Sequence, residues 1–362
     1  MTKFAVTRSA HPATEQQRAE VMLDPGFGRF FTDHMASATW TPDRGWHDLA
    51  VSELKPYSMH PGAAVLHYAQ EIFEGLKATR HENGSIWLFR PDRNARRFAN
   101  SARRLALPVL DDGMFIDSIS ELVRADQDWV PAYDGGERSL YLRPYMFGSE
   151  AFLGVRAAAE VSYGVIASPA AAYFKSGVSG VTLWVSENYS RAAKGGTGEA
   201  KCGGNYAGSL AAQVEAQQHD CEQVLYLSSD DDRYLEESGT MNLFLVTSDG
   251  ELITPGLGTI LEGVTRDSVL ELAAEHGLKP VERPVALADL RAGCDDGSIT
   301  EMFAAGTAAI ITPILGFKGN GYAHTLGAGE PGEVTLAIRK HILDVQFGRA
   351  ADTHNWLYPV VS

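Results

Sequence analysis

The stretch "AKGGTGEAKCGGNYAGSLAAQ", Ala193 to Gln213, sets Lys201 among Gly195, Gly196, Gly198, Gly203, Gly204 and Gly208. Three readings compete: a phosphate-binding loop, a lysine poised for covalent chemistry, and a solvated surface loop. A nucleotide-binding loop reads GxxxxGK followed by Ser or Thr, so that amides ring the phosphates and a hydroxyl takes magnesium. Gly195 opens a run of that length, but Ala200 precedes the lysine and Cys202 follows it. Both the last glycine and the metal-binding hydroxyl are missing, which counts against a nucleotide.

The chain has 362 residues, enough for two domains with their own cores. Its 44% hydrophobic and 21% charged composition is that of an ordinary globular protein. A formal net charge of -15 argues against nucleic acid or an anionic membrane as the main partner. Cys202, Cys221 and Cys294 form neither a CxxC pair nor an even disulfide set, so a reducing compartment is expected. The N-terminus has no apolar signal core and no run approaches a membrane span. The expectation is a cytoplasmic protein.

Residues up to about Trp46 read as an arm rich in turn formers. The run "EIFEGLKATRHENGSIWLFRP" reads as a hairpin turned at Asn83-Gly84. A helix follows, with Phe98, Ala102 and Leu105 on one face and the arginines on the other. A second helix is expected near "DSISELVRADQDWVP", capped by Asp117 or Ser118. Strands are expected in "SLYLRPYMFGSE" and "VSYGVIASPAAAYF", and "KSGVSG" after Phe174 reads as a linker. Beyond it come a strand in "VTLWVSE", a helix over "YAGSLAAQVEAQQHD", a strand in "EQVLYLS" and a hairpin turned at Asp249-Gly250. A helix over "TRDSVLELAAEHG" stops at Gly277; strands "SITEMF" and "IITPIL" flank "AAGTAA", and a last helix runs from Gly332 to Phe347. Hairpins are prominent throughout, which favours a mixed α/β or α+β fold over a doubly wound parallel sheet.

Most lysines are solvated, but glycines around Lys201 permit close backbone approach to a bound group. A lysine desolvated beside such a group loses proton affinity and becomes an amine nucleophile suited to a Schiff base. Pyridoxal phosphate would then need three further features: a phosphate cradle, a charged partner for the pyridine nitrogen, and a donor to the ring oxygen. In "EGVTRDSVLELA", Gly263 precedes a helix whose first turn holds Val264 and Thr265, a ready anion site unless Thr265 only caps the helix. The turn at Gly306-Thr307-Ala308 and Arg90 before Pro91 are further phosphate candidates. Glu236 and Glu237 are adjacent at a strand start, so one can face inward while the other is solvated. A buried carboxylate needs a partner, and a pyridinium N–H would supply it.

Seven segments in order resemble the branched-chain amino-acid aminotransferases, fold type IV pyridoxal-phosphate enzymes, in the longer form of that family. They are "LHYAQEIFEGLKA", "LFRPDRNARRFANSARRLALP", "SLYLRPYMFGSEAFLGV", "GGTGEAKCGGNYAGSLAAQ", "LEESGTMNLF", "LEGVTRDSVLELA" and "FAAGTAAIITP". The resemblance implies a mixed α/β, two-domain fold: a smaller N-terminal domain over 1–174, a linker over 175–180, and a larger C-terminal domain over 181–362, with the cofactor between them. It makes Lys201 the aldimine lysine, Tyr206 the donor to the ring oxygen, and Glu237 rather than Glu236 the partner of the pyridine nitrogen. Arg90, Val264, Thr265 and Thr307 would hold the phosphate. Tyr68, Phe73 and Thr240 would line a pocket for a branched side chain. Tyr141 with Thr307 and Ala308 would take the α-carboxylate, and Arg143 the second carboxylate of glutamate. Val155 would reach a neighbouring subunit's site, implying a homodimer.

The activity implied is reversible transfer of the amino group of L-leucine, L-isoleucine or L-valine to 2-oxoglutarate, with ping-pong kinetics and no metal. One departure is visible: Ala309 and Thr312 stand where mammalian members carry a redox CxxC. Competing readings are a D-amino-acid transaminase or aminodeoxychorismate lyase on the same fold, a phosphate-loop protein using Gly195 to Lys201, and a catalytically silent paralogue.

Overall fold

The computed structural model describes residues 4–173, 178–229 and 233–362. The expected linker lies partly outside the described residues. The chain forms two compact units, one of Met1–Tyr173, Ala200–Gly203 and Asp344–Ser362, the other of Phe174–Glu199 and Gly204–Leu343.

In the first unit one sheet runs, from edge to edge, Ala5–Val6, Gly45–Glu53, His34–Thr41, Val161–Ala170, Ser139–Gly148, Leu76–Arg80, Ile86–Phe89 and Leu357–Val361. Strand Glu71–Phe73 also pairs Ser139–Gly148. The hairpin predicted around Asn83-Gly84 is present, joining Leu76–Arg80 to Ile86–Phe89. Along Ser139–Gly148 the side chains alternate: Leu140, Leu142 and Met146 enter the core, while Tyr141, Arg143 and Tyr145 stay partly accessible on the other face. Helix Pro91–Arg104 buries Phe98 and Ala102 against Phe115, Ile119 and Leu122 of helix Asp112–Ala125.

Three expectations for this unit are corrected. The N-terminal stretch is not an arm: it contains helix Glu15–Leu23, closed by a Thr14–Gln17 capping box, and strand His34–Thr41 in mid-sheet. The helix expected at Asp117 or Ser118 begins at Asp112, with the Asp111 carboxylate accepting from Gly113 N–H. The arginines of Pro91–Arg104 do not share one solvated face, because Arg97 is buried.

In the second unit, strands Val181–Val185, Gln223–Leu227, Leu235–Ser238, Met241–Thr247, Ile299–Gly306 and Ile310–Gly319 pair in succession, and the last pairs the first. The six therefore close a ring, from which Glu251–Thr254 with Lys279–Glu282, and Tyr322–Thr325, branch as further strands. Alternate residues Leu183, Val185, Leu225, Leu227, Leu243, Leu245, Met302 and Ala304 share one apolar cluster with Leu287 and Leu290 of helix Leu287–Asp296. That helix carries no start signal in the sequence: its N-cap, Ala286, makes no side-chain cap hydrogen bond.

The first unit also buries a histidine–carboxylate pair. His34 Nδ1 lies 2.6 Å from Asp126 Oδ1, His34 N–H donates to Asp126 Oδ2, and Ser9 N–H donates to His34 Nε2. Because Nε2 accepts, Nδ1 carries the proton and the ring is neutral. Replacing Asp126 by alanine leaves two buried donors unsatisfied. It is expected to lower stability by about 3 kcal/mol, read as a fall in the urea midpoint.

Candidate active site

Lys201 belongs to the first unit, and its backbone is held at both ends. Its N–H donates to Ser101 Oγ at 2.9 Å, and its carbonyl accepts from Phe73 N–H at 3.0 Å. Ser101 comes from helix Pro91–Arg104 and Phe73 from strand Glu71–Phe73, so two regular elements fix the lysine's course. Its ammonium nitrogen stands 4.9 Å from the Phe73 ring centroid. Burial, and then the positive charge of Arg97, push the amine down to about 8. A lysine tuned this way can exist as an uncharged nucleophile near neutral pH.

Next to Phe73, Glu74 is fully buried. It accepts from Arg97 Nε at 2.7 Å and Nη2 at 2.8 Å, from Asn94 Nδ2 at 2.8 Å and from Gly75 N–H at 3.1 Å. Burial alone would raise its proton affinity, but Arg97 and these donors hold it below the usual carboxylate value. Arg90, Asn94, Arg97 and Ser101 recur at helical spacing and are all buried. Arg90 has a left-handed backbone, φ 48°, stabilised by its N–H to Trp356 C=O and its guanidinium over the Trp356 ring. No local signal points to Trp356, which arrives from the far end of the chain.

Phe73, Tyr141, Arg143 and Lys201 are brought together. Arg143 Nη2 donates to the Tyr141 hydroxyl at 2.9 Å, and its guanidinium lies 4.8 Å from the Phe73 centroid. Arg143 Nε is buried with no hydrogen-bond partner among the described residues. A Cβ on Gly75 would fall 2.1 Å from the Tyr141 hydroxyl, so glycine there makes room for it. Tyr68 is set apart, ending helix Ala64–Tyr68 with its hydroxyl donating to Leu153 C=O. Val155, two residues on, is 90% exposed.

In the second unit Glu237 is 1% exposed. Its Oε2 stands 2.5 Å from Arg191 Nε, and its Oε1 accepts from Leu261 N–H at 3.0 Å and Asn242 Nδ2 at 3.2 Å. The sequence offers no cue to Arg191, which lies in an irregular segment, although Asn242 sits in a recognised motif. Glu236 is also buried, accepting from Thr259 Oγ1 at 2.6 Å, so the expectation that one of the pair is solvated fails. It lines a cavity of about 380 Å³ with Tyr234, Leu257, Thr259 and Ile260.

Asn242 Nδ2 also donates to Leu261 C=O, and a Cβ on Gly263 would fall 2.0 Å from Asn242 Oδ1. The Glu237 carboxylate is thereby tied to the start of helix Val264–Leu272. The N-cap of that helix is Gly263, with no side-chain cap hydrogen bond. Thr265 is buried inside the first turn and does not cap the helix. Thr307 and Ala308 are half-buried in the turn between Ile299–Gly306 and Ile310–Gly319. Thr240 is exposed in the turn before Met241–Thr247, and Tyr206 is half-buried in the first turn of helix Gly203–Gln218. Cys202 packs in the first unit's core. Among the described residues no cluster of His, Cys, Asp or Glu could hold a metal.

The family model for class IV amino-transferases matches residues 71–317. A branched-chain-amino-acid aminotransferase of Mycobacterium tuberculosis H37Rv is 48% identical, covering 98% of this chain and 97% of the relative. A probable enzyme of that name from Streptomyces coelicolor is 50% identical over 97% and 96%. Among solved structures, the branched-chain amino acid aminotransferase of Escherichia coli superposes with TM-score 0.73 at 27% identity, covering 90% of this chain and 99% of that one. The T.th. enzyme of the same name, complexed with N-(5'-phosphopyridoxyl)-L-glutamate, gives 0.70 at 29% identity, over 90% and 99%. With the family match spanning well over half its length, the chain belongs to the class IV aminotransferases, in a mixed α/β fold of type IV.

Proposed function

We infer that this chain is a pyridoxal-phosphate-dependent branched-chain-amino-acid aminotransferase. The observation that carries the reading is Lys201: held at both backbone ends, lowered in proton affinity, and centred in a chain whose close relatives bear that name.

The donor set fits the cofactor. An uncapped helix start at Val264 and Thr265, the Thr307 turn and the buried Arg90 are the donor types a phosphate requires. Glu237, paired with Arg191, is a buried carboxylate of the kind that holds a pyridinium. Tyr206 is the candidate donor to the ring oxygen. When bound, pyridoxal phosphate supplies the electron sink that makes the amino acid's α-proton acidic.

Lys201 Nζ takes that proton and returns it, acting as base and then acid. Its poise near neutrality suits both directions. The Phe73 ring, which faces Lys201 Nζ, is the candidate apolar wall for leucine, isoleucine or valine. The Tyr141 hydroxyl is one candidate donor to the α-carboxylate, and the backbone amides at Thr307 and Ala308 are another. Arg143, its Nε buried without a partner among the described residues, is suited to the second carboxylate of glutamate or 2-oxoglutarate. The glutamate adduct in the T.th. structure supports glutamate as the alternating partner.

A homodimer is supported by the exposed apolar side chains of Leu153 and Val155, which a second copy would cover. A reducing, cytoplasmic setting is supported by three unpaired cysteines. No helix of the described residues is long and apolar enough to cross a membrane.

Purified protein is expected to be yellow, and L-leucine alone is expected to bleach that band. A band moved by D-alanine and untouched by L-leucine would point to a D-amino-acid transaminase, and a colourless protein that binds ATP with magnesium to the loop reading. Lys201→Ala should abolish turnover while the fold, followed by circular dichroism, persists. For Arg143→Gln, the KM for 2-oxoglutarate should rise about 10- to 100-fold, the loss of a charged hydrogen bond, with the KM for L-leucine changing far less.

A further inference from the structure

The buried carboxylate–guanidinium pair next to Lys201 has no place in the chemistry above. Glu74 and Arg97 are 0% and 6% exposed. Burying two charges is costly, and a buried pair is often no more stabilising than apolar residues of similar size. Its geometry ties it to the lysine. Glu74 follows Phe73, whose N–H holds the Lys201 carbonyl and whose ring faces Lys201 Nζ. Arg97 lies one helical turn before Ser101, which holds the Lys201 N–H. Asn94 and Gly75 N–H complete the hold on Glu74, so neither charge can turn away.

We propose that Glu74 and Arg97 are a positioning pair for Lys201: two opposed, fixed charges that set how readily its ε-amine holds a proton. The proposal rests on Lys201 being the reactive amine. Among the described residues of this unit, the charged and titratable groups acting on Lys201 include Arg97, Glu74, Tyr141 and Arg143. Arg97 opposes the ammonium form and Glu74 favours it. A pair serving only to hold the fold would lose stability when broken, without a directed change in the lysine's titration.

The test is the pH dependence of three full-length variants: Glu74→Gln, Arg97→Gln and the double substitution. Two readouts are taken. One is the acid limb of kcat for the loaded enzyme. The other is the pH dependence with which Lys201 of the cofactor-stripped protein reacts with a neutral aldehyde, trapped by borohydride and located by mass spectrometry.

In Glu74→Gln the remaining guanidinium repels the ammonium, so both profiles should move to lower pH by about one unit. In Arg97→Gln the opposing cation is gone, so both should move to higher pH, whether or not Glu74 stays ionised. The double variant should lie between the single ones where Glu74 stays ionised in Arg97→Gln, and should coincide with Arg97→Gln where it does not. Should Arg97→Gln fail to fold, Glu74→Gln and the double variant still decide. Profiles that stay in place, or single variants that shift in the same direction, overturn the proposal. If instead Lys201→Ala keeps turnover, the reading of Lys201 itself has failed, which is a separate outcome.

Discussion

The hydrogen bond from Phe73 N–H to the Lys201 carbonyl is the constraint on which the placement of the lysine in the first unit depends. Residues Ala200–Gly203 are isolated in sequence from the rest of that unit, yet they pack within it. A four-residue segment has too little surface to dock on its own. What holds it is main-chain bonding: Phe73 on one side, Ser101 on the other, and Gly203 N–H donating to the Glu71 carboxylate. Burial raises the proton affinity of Glu71, while Gly203 N–H and the charge of Arg143 pull against that rise. The lysine's position follows from strand Glu71–Phe73 and helix Pro91–Arg104, elements more rigid than a loop.

That helix does two jobs with one periodicity. Its apolar stripe, Ala95, Phe98 and Ala102, builds the core, while Arg90, Asn94, Arg97 and Ser101 form a second buried stripe that is polar. A helix with only three to four apolar positions per two turns has room for both, provided the polar stripe finds partners. Here it does: Glu74 for Asn94 and Arg97, the Lys201 backbone for Ser101, and Trp356 for Arg90. The left-handed backbone at Arg90 costs about 1 kcal/mol, and the contacts to Trp356 offset it.

Local signals are legible wherever a turn or cap carries them. The Asn83-Gly84 and Asp249-Gly250 hairpins and the helix ending at Gly277 appear where the sequence places them. What cannot be read depends on partners distant in the chain. Strand Leu357–Val361 is defined by pairing with Ile86–Phe89, and Arg191 acquires meaning only beside Glu237. Arg97 misleads because an arginine on an amphipathic helix is nearly always solvated, and nothing local announces a buried Glu74 opposite it. Glu236 misleads for a similar reason: alternation does send adjacent residues to different faces, but both faces of this strand are covered.

Glycines away from the Lys201 loop act without making room for a bound group. At Gly75 and Gly263 the space a Cβ would need is already taken by this chain, by the Tyr141 hydroxyl and by Asn242 Oδ1. Each glycine lets a polar side chain approach the backbone closely, and each of those side chains is then fixed next to a charged group. Tyr141 accepts from Arg143, while Asn242 joins Glu237 to the loop that opens helix Val264–Leu272. An alanine at either position would displace the polar group that orients its charged neighbour. These glycines therefore act one step back from the chemistry, by fixing the side chains that fix the charges.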